Sequence, residues 1–378
     1  MSSKRHVALA RSEGLLPLPA SASPSLDPFL DNVAHLLSGF GFRQIAGPPE
    51  GAHIADIYSG AHDLAQEPLP VAKWFYLGSG ASRHELGIYI IGEESSLAYV
   101  HLLNAVYETL KDLGFAEAVI EIGSRGCGSC QGEYGEWLRA ELSGTGRLCA
   151  DCLRNLERQN LVAVWNCPNA SCRGIFGAAS QQMIDFLDES CRGMLMDTLE
   201  MIDTLEIPYV LSPFFSGHSA REKILFEPVA EGISGRAVLG RGGDDSRAAR
   251  GSDPALPILG FLTELRTLHG FLPEGRAAQT RPAEVFIVSL GRAAGPVALQ
   301  LFRQLRTAGI DVAEGLLGNQ GLRSQLRLAA ERKSEIALII GQKEALDETV
   351  ILRDIRSGIQ EVFVKDRIVE EVQKRLAH

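Results

Sequence analysis

Cysteine is absent before position 127 and after position 191, although seven occur between those points. Disulfides that staple the whole chain are thereby excluded. The chain also lacks any apolar run near the roughly 18 to 20 residues that a membrane-crossing helix needs. Its opening, MSSKRHVALARSEGLLPLPASASP, has no secretory apolar core. Both features predict a cytoplasmic protein with no membrane contact. Positive charge is scarce too: 37 Lys and Arg face 47 Asp and Glu, a net charge of −10, which argues against wholesale electrostatic wrapping of nucleic acid. A local RNA footprint remains compatible with that balance. The 14 Lys and Arg against 13 Asp and Glu from Glu284 onward leave the C-terminal part at +1 and the remainder at −11.

What is present is globular. At 378 residues and 45% hydrophobic content, the chain can bury two or three cores. Residues 1–25 are rich in Ser, Pro and Leu without periodicity, which predicts a flexible arm. Phe29, Val33, Leu36 and Leu37 recur at helical spacing and stop at Gly39 and Gly41. The stretches AKWFYLGSG and ELGIYIIGEES then predict two buried strands, followed by a helix over 97–113 and the strand AVIEIG. This order predicts a mainly antiparallel sheet carrying helices, not a doubly wound Rossmann sheet. A long helix is expected over 181–205. The Gly-, Arg- and Asp-rich stretch 232–257 is expected to form a hairpin or mobile loop that breaks the middle domain. Beyond a linker at 270–282, EVFIVSL, IDVAEGLL and IALIIG alternate with helical runs at 294–308 and 322–332, predicting a compact α/β unit with a largely parallel sheet.

Six cysteines fall into close pairs within a Cys-rich segment at 123–175. Cys127 and Cys130, like Cys149 and Cys152, are separated by two residues, and Cys167 and Cys172 by four. In a reducing compartment such spacing lets two thiolates of one turn reach a tetrahedral zinc at about 2.3 Å. Four of the six are expected to bind one structural zinc, with Cys149 and Cys152 at its centre. A shell of four thiolates leaves no open position for water, so the metal would not be catalytic. The alternative is a set of buried free thiols. Cys191 reads as core, and a redox role for Cys127 and Cys130 lacks a thioredoxin-like strand-to-helix context. His84, His101 and His218 have no partner at a telling spacing and read as ordinary histidines.

The last ninety or so residues resemble the anticodon-binding domain of histidyl-tRNA synthetases, through EVFIVSLG and LRSQLRLAAERKSEIALIIGQKEALDETVILRDIRSGIQ. Gly341, Glu344, Arg353 and Asp354 match that family's Gly-x-x-Glu and the hairpin after it. RLCADCLRNLERQNLVAVWNCPNASC and FLDESCRGMLMDTLEMIDTLEIPYVLSP resemble the region after the second class II motif. HELGIYIIGEES resembles the strand closing that motif, and GFGFRQIAGPPEGA resembles motif 1. The resemblance implies an α+β fold: a class II synthetase-like antiparallel sheet with helices over 26–270, a Cys-rich insertion, and a C-terminal α/β anticodon-binding-type domain over 283–378. It also implies a homodimer built through motif 1.

The catalytic motifs depart from the family. The motif 2 arginine and its long loop are replaced by Ala81, Ser82 and Arg83, running directly into His84. Glu85 and Tyr89 stand where the family has Gln and then Glu, so a carboxylate facing the amino acid becomes a phenol. FFSGHSAREK, with Arg221, replaces the arginine-bearing histidine-binding segment, and GRGGDD lacks Arg-Tyr-Asp. Arg266 is out of register, and a stretch with a glutamate-threonine pair is largely deleted between Glu50 and Lys73. One donor at a site of developing charge is worth about 3 kcal/mol, so losing several predicts a protein that does not aminoacylate. It would then act by binding tRNA or tRNA-like RNA through Arg323, Arg327 and Arg353, or by regulating a partner. One alternative is an active histidine-tRNA ligase using ATP, with Arg83, Glu85, Arg221 and Arg266 as the residues rebuilding the site, and with Arg241 nearby. A further alternative is a regulatory subunit of a histidine-biosynthesis enzyme, although such subunits generally lack the anticodon domain.

Overall fold

A computed structural model describes residues 28–47, 54, 57–58, 71–78, 85–142, 147–212, 223–232, 235–245, 256–265, 268, 283–315 and 321–377. The expected arm, the linker at 270–282, and Arg83, His84, His218, Arg221 and Arg266 lie outside them. The first helix, α1 (Pro28–Gly39), buries Val33, Leu36 and Leu37 and ends before Gly41, whose φ of +76° is open to glycine.

Among the described residues nine strands build one sheet. In spatial order it runs β1 (Arg43–Gln44), β2 (Ala72–Leu77), β3 (Glu85–Ile91), β9 (Ile258–Glu264), β8 (Arg241–Asp244), β6 (Ile224–Gly232), β4 (Val119–Ser124) and β5 (Tyr209–Leu211), with β7 (Gly235–Val238) paired to β6. Only the two outermost pairings, β1 with β2 and β4 with β5, are parallel. The antiparallel expectation therefore stands. The hairpin expected within 232–257 is present, β7 pairing antiparallel with β6 and Gly232 lying opposite Gly235; the expectation that the stretch breaks the domain is corrected, because β8 fills the gap between β6 and β9. Glycine allows this, because a Cβ on Gly242 would lie 2.3 Å from the Phe226 ring.

One face of this sheet is covered by α2 (Ser96–Asp112), whose residues 98–110 are all buried. Such all-round burial marks a helix enclosed on every side. Ser95 caps it, accepting a hydrogen bond from the Ala98 backbone. Behind it lies α7 (Glu189–Thr204). The expected continuous helix over 181–205 is instead a 3-10 turn (Gln181–Phe186) followed by α7. The apolar periodicity hid the break, which Asp188 makes by capping α7. Between β4 and α7 come α3 (Gly128–Leu142), α4 (Ala150–Glu157), α5 (Leu161–Trp165) and α6 (Ala170–Ser180).

The C-terminal sheet runs β11 (Val312–Glu314), β10 (Val285–Ser289), β12 (Ile336–Ile340), β13 (Thr349–Asp354), β14 (Gln360–Val364). Its first three strands are parallel, and β13 and β14 form an antiparallel hairpin, so only half of this sheet is parallel. α8 (Ala294–Thr307) covers one face and α9 (Leu322–Glu331) the other, with α10 (Gln342–Leu346) and α11 (Ile368–Leu376) completing it. One apolar core runs from the first sheet through α2 and α8 into the second; at the junction the rings of Phe40 and Phe302 lie 4.5 Å apart. No helix among the described residues is long and apolar enough to cross a membrane.

Candidate functional site

Strand pairing fixes which side chains share the sheet face turned away from α2. Phe75, Leu86, Ile88, Ile90, Leu259 and Phe261 join the α2 core, so their neighbours in each strand point the other way. That second face carries Trp74, Tyr76, Tyr89, Ile91 and Ile258, all buried in one cluster with Ile45. Tyr76 donates to Glu85 Oε1 at 2.6 Å, and the Tyr76 and Tyr89 rings stack at 6.1 Å. Gly87 and Gly260 make room for these rings: a Cβ would come within 2.4 Å of Tyr76 and 2.8 Å of Tyr89. Burial, reinforced by Glu85, pushes the Tyr76 phenol well above its ordinary range, and burial does the same to Tyr89, so both stay neutral.

Further along the same face, Arg241 pairs with Glu227 at 2.8 Å, and Arg236 pairs with Glu121. Arg241 is thus already engaged by a carboxylate. Glu85, a candidate catalytic residue, is a hydrogen-bond acceptor for a tyrosine. The described part of this face offers phenols and paired charges rather than a ring of free guanidinium groups. Phosphate binding and charge neutralisation call for the latter.

The cysteines separate into two groups. Cys149, Cys152, Cys167 and Cys172 place four sulfurs within 4.8 Å of one another, a group that could hold a metal ion. Cys149 opens α4, Cys167 follows α5 and Cys172 lies in the first turn of α6, so three short helices converge on one point. The Cys149 backbone N–H donates to Cys172 Sγ at 3.3 Å, and the Cys149 and Cys167 sulfurs lie 3.9 Å apart. The Cys152 backbone, with its side chain, draws the Cys149 thiol down to about 7, whereas burial pushes Cys152 well up.

Cys127 and Cys130 do not join this group. Their partners are Asp188 and Cys191, again within 4.8 Å. Cys191 is buried in the apolar core, as expected, and its sulfur also faces this group. The expectation that Cys127 and Cys130 lack a strand-to-helix context is corrected, because they sit between β4 and the first turn of α3. The Asp188 carboxyl is drawn down to about 2, first by the Cys191 backbone N–H and then by Cys127. Burial pushes Cys191 up to about 12. The clue available in sequence was Asp-Glu-Ser-Cys, a capping signature inside an apparently continuous helix.

Of the expected RNA-facing residues, Arg323 and Arg327 project from the exposed face of α9, and Arg327 pairs loosely with Glu331 at 3.6 Å. Arg353, half-buried, lies on β13 opposite Ala337, the sheet face that α9 covers. All three therefore belong to one side of the C-terminal unit. Gly341 and Glu344 form the cap of α10, the Gly341 N–H donating to the Glu344 carboxylate at 3.0 Å. Sequence reasoning missed a buried set at the junction of the two sheets, where His101 lies 3.0 Å and Lys73 3.7 Å from Glu314 Oε1. Nothing in the spacing of positions 73, 101 and 314 could have announced it.

Residues 284–375 match the family described as anticodon binding domain. The chain is 28% identical over 345 residues to a histidine–tRNA ligase of Thermosipho melanesiensis, spanning 87% of this chain and 81% of the relative. It is 29% identical over 322 residues to one from Thermotoga sp. strain RQ2, spanning 80% and 76%. The apo histidyl-tRNA synthetase of S. aureus superposes with a TM-score of 0.53 at 18% identity, covering 95% of this chain and 100% of that one, a likeness of fold. In sequence the chain is thus histidyl-tRNA synthetase-like over most of its length, with residues 284–375 matching the anticodon binding domain, and its fold is similar to that of a histidyl-tRNA synthetase.

Proposed function

We propose that this protein does not charge tRNA and instead binds tRNA or a tRNA-like RNA through its unit at 283–378. The observation that carries the reading is Tyr89: a buried, neutral phenol, stacked on Tyr76, at the position where the resemblance implies a carboxylate facing the amino acid. A neutral phenol cannot balance an α-ammonium group as a carboxylate does. The pairing of Arg241 with Glu227 supports the same reading. ATP–pyrophosphate exchange with histidine tests it. No exchange, together with tRNA binding that weakens as salt rises, is expected; histidine-dependent exchange would overturn it.

Active ligation is the second reading, and it is favoured by the names of the relatives, histidine–tRNA ligases matched over 76% and 81% of their lengths. The exchange assay separates the two. The same proposal includes zinc in the four-cysteine cluster: four thiolates at one point suit a closed tetrahedral zinc, which would fold the short helices rather than supply chemistry. It also includes a cytoplasmic homodimer formed through residues 39–52, to be checked by light scattering.

A further inference from the structure

We infer that Cys127, Cys130, Asp188 and Cys191 form a second metal site, separate from the four-cysteine cluster and made of three thiolates and one carboxylate. The donors come from two segments about sixty positions apart and all lie within 4.8 Å of one another. The Cys127 and Cys130 sulfurs are 3.6 Å apart, and Cys127 Sγ is 3.1 Å from Asp188 Oδ2. Asp188 divides its two oxygens: Oδ1 accepts from the Cys191 N–H at 2.7 Å, capping α7, while Oδ2 faces the sulfurs. The Asp188 N–H in turn donates to Cys130 Sγ at 3.2 Å.

Two further features suit bound thiolates. The first turns of α3 and α7, helices of 15 and 16 residues, both point at the cluster, so the positive ends of two helix dipoles favour anionic sulfur there. Gly126, at φ +64°, keeps the space open, since a Cβ there would lie 2.5 Å from Cys130 Cβ and 2.8 Å from its sulfur. A Cys127–Cys130 disulfide is the competing use of the pair. It needs two of the four donors and leaves the convergence of Asp188 Oδ2 and Cys191 without a purpose. Three sulfurs and an oxygen complete a tetrahedral zinc shell with no open position, so the ion pins the start of α7 to the corner between β4 and α3. An aspartate in place of a fourth thiolate makes this the softer-held ion of the two.

The full chain, purified in reductant without chelator, is analysed for zinc and reconstituted with cobalt(II). Two ions per chain are expected. Cys167→Ser should leave one cobalt whose charge-transfer absorption is weaker than that of a four-sulfur site, and Cys191→Ala should leave one with the four-sulfur spectrum. Asp188→Asn, which preserves the helix cap, should keep the fold by circular dichroism and release the second ion to a chromophoric chelator at least tenfold more readily. One ion per chain that Cys191→Ala does not alter, or a Cys127–Cys130 disulfide in the reduced protein, would overturn the inference. If Cys167→Ser costs no metal while Cys191→Ala does, the four-cysteine zinc fails and this site stands.

Discussion

Burial of single ionisable groups has consequences that can be measured. His101 is held below its ordinary value of 6.5, first by burial, with Lys73 adding to the shift and Glu314 opposing it. Below that value the unfolded chain takes up a proton that folded His101 resists, so the unfolded state binds more protons and stability falls as pH falls. Urea midpoints are expected to rise between pH 5 and pH 7, with this residue contributing up to about 1.4 kcal/mol per pH unit. His101→Gln should flatten that slope without abolishing it, because burial lowers His35 as well. Lys73, lowered to about 8 by burial, has the same sign at higher pH: the folded form loses its proton first, and stability is gained as pH rises through that value. Gly87 offers a steric test on the sheet face. Its alanine variant places a methyl 2.4 Å from the Tyr76 ring and should cost about 1 to 3 kcal/mol by denaturant unfolding. The identities of Glu85 and Tyr89 were legible in the sequence. That Tyr76 would donate to one and stack on the other was not, because cross-strand partners depend on register.

Among elements, the Cys-rich helices are the least self-sufficient. α4 has eight residues and α5 five, both too short to persist alone in water. Their convergence on Cys149, Cys152, Cys167 and Cys172 predicts that chelation melts them locally. After metal removal, far-ultraviolet ellipticity should fall and proteolysis should begin within 147–180, while 283–377 stays resistant; unchanged ellipticity would count against a structural metal. Close cysteine spacing announced part of this grouping, since a turn of two residues brings two thiols together whatever the fold. Asp188 and Cys191 were hidden by a periodicity that ran through the helix break. The glycine-rich stretch announced the β6–β7 hairpin but not β8, where Gly242 lets a central strand lie beneath Phe226.

At the scale of the whole molecule, the two sheets act as one packed body. Glu314, fully buried, reaches from the second sheet toward His101 of α2 and Lys73 of β2, and Arg306 and Arg303 of α8 engage Asp112 and Glu108 of α2. The anticodon-binding domain is thereby fixed in orientation, with Arg323, Arg327 and Arg353 on one of its sides. Double charge reversal, Arg323→Glu with Arg327→Glu, should weaken tRNA binding and lower the slope of log affinity against log salt by about 1 for each phosphate no longer neutralised. Filter binding over a salt series measures this. Indifference to both changes would move the RNA footprint elsewhere.

The sequence alone determined the class of fold, the C-terminal domain and the pairing of cysteines, because hydrophobic period, turn chemistry and ligand spacing are properties of neighbours along the chain. It also placed Tyr89 where the resemblance implies a carboxylate. The tertiary structure decided the rest: that six cysteines divide four and two, that Asp188 and Cys191 complete the smaller group, that Arg241 is held by Glu227, and that Lys73, His101 and Glu314 meet. Each of these depends on strand register and helix docking. Those bring residues tens to hundreds of positions apart within a few ångströms, and no local pattern encodes that distance.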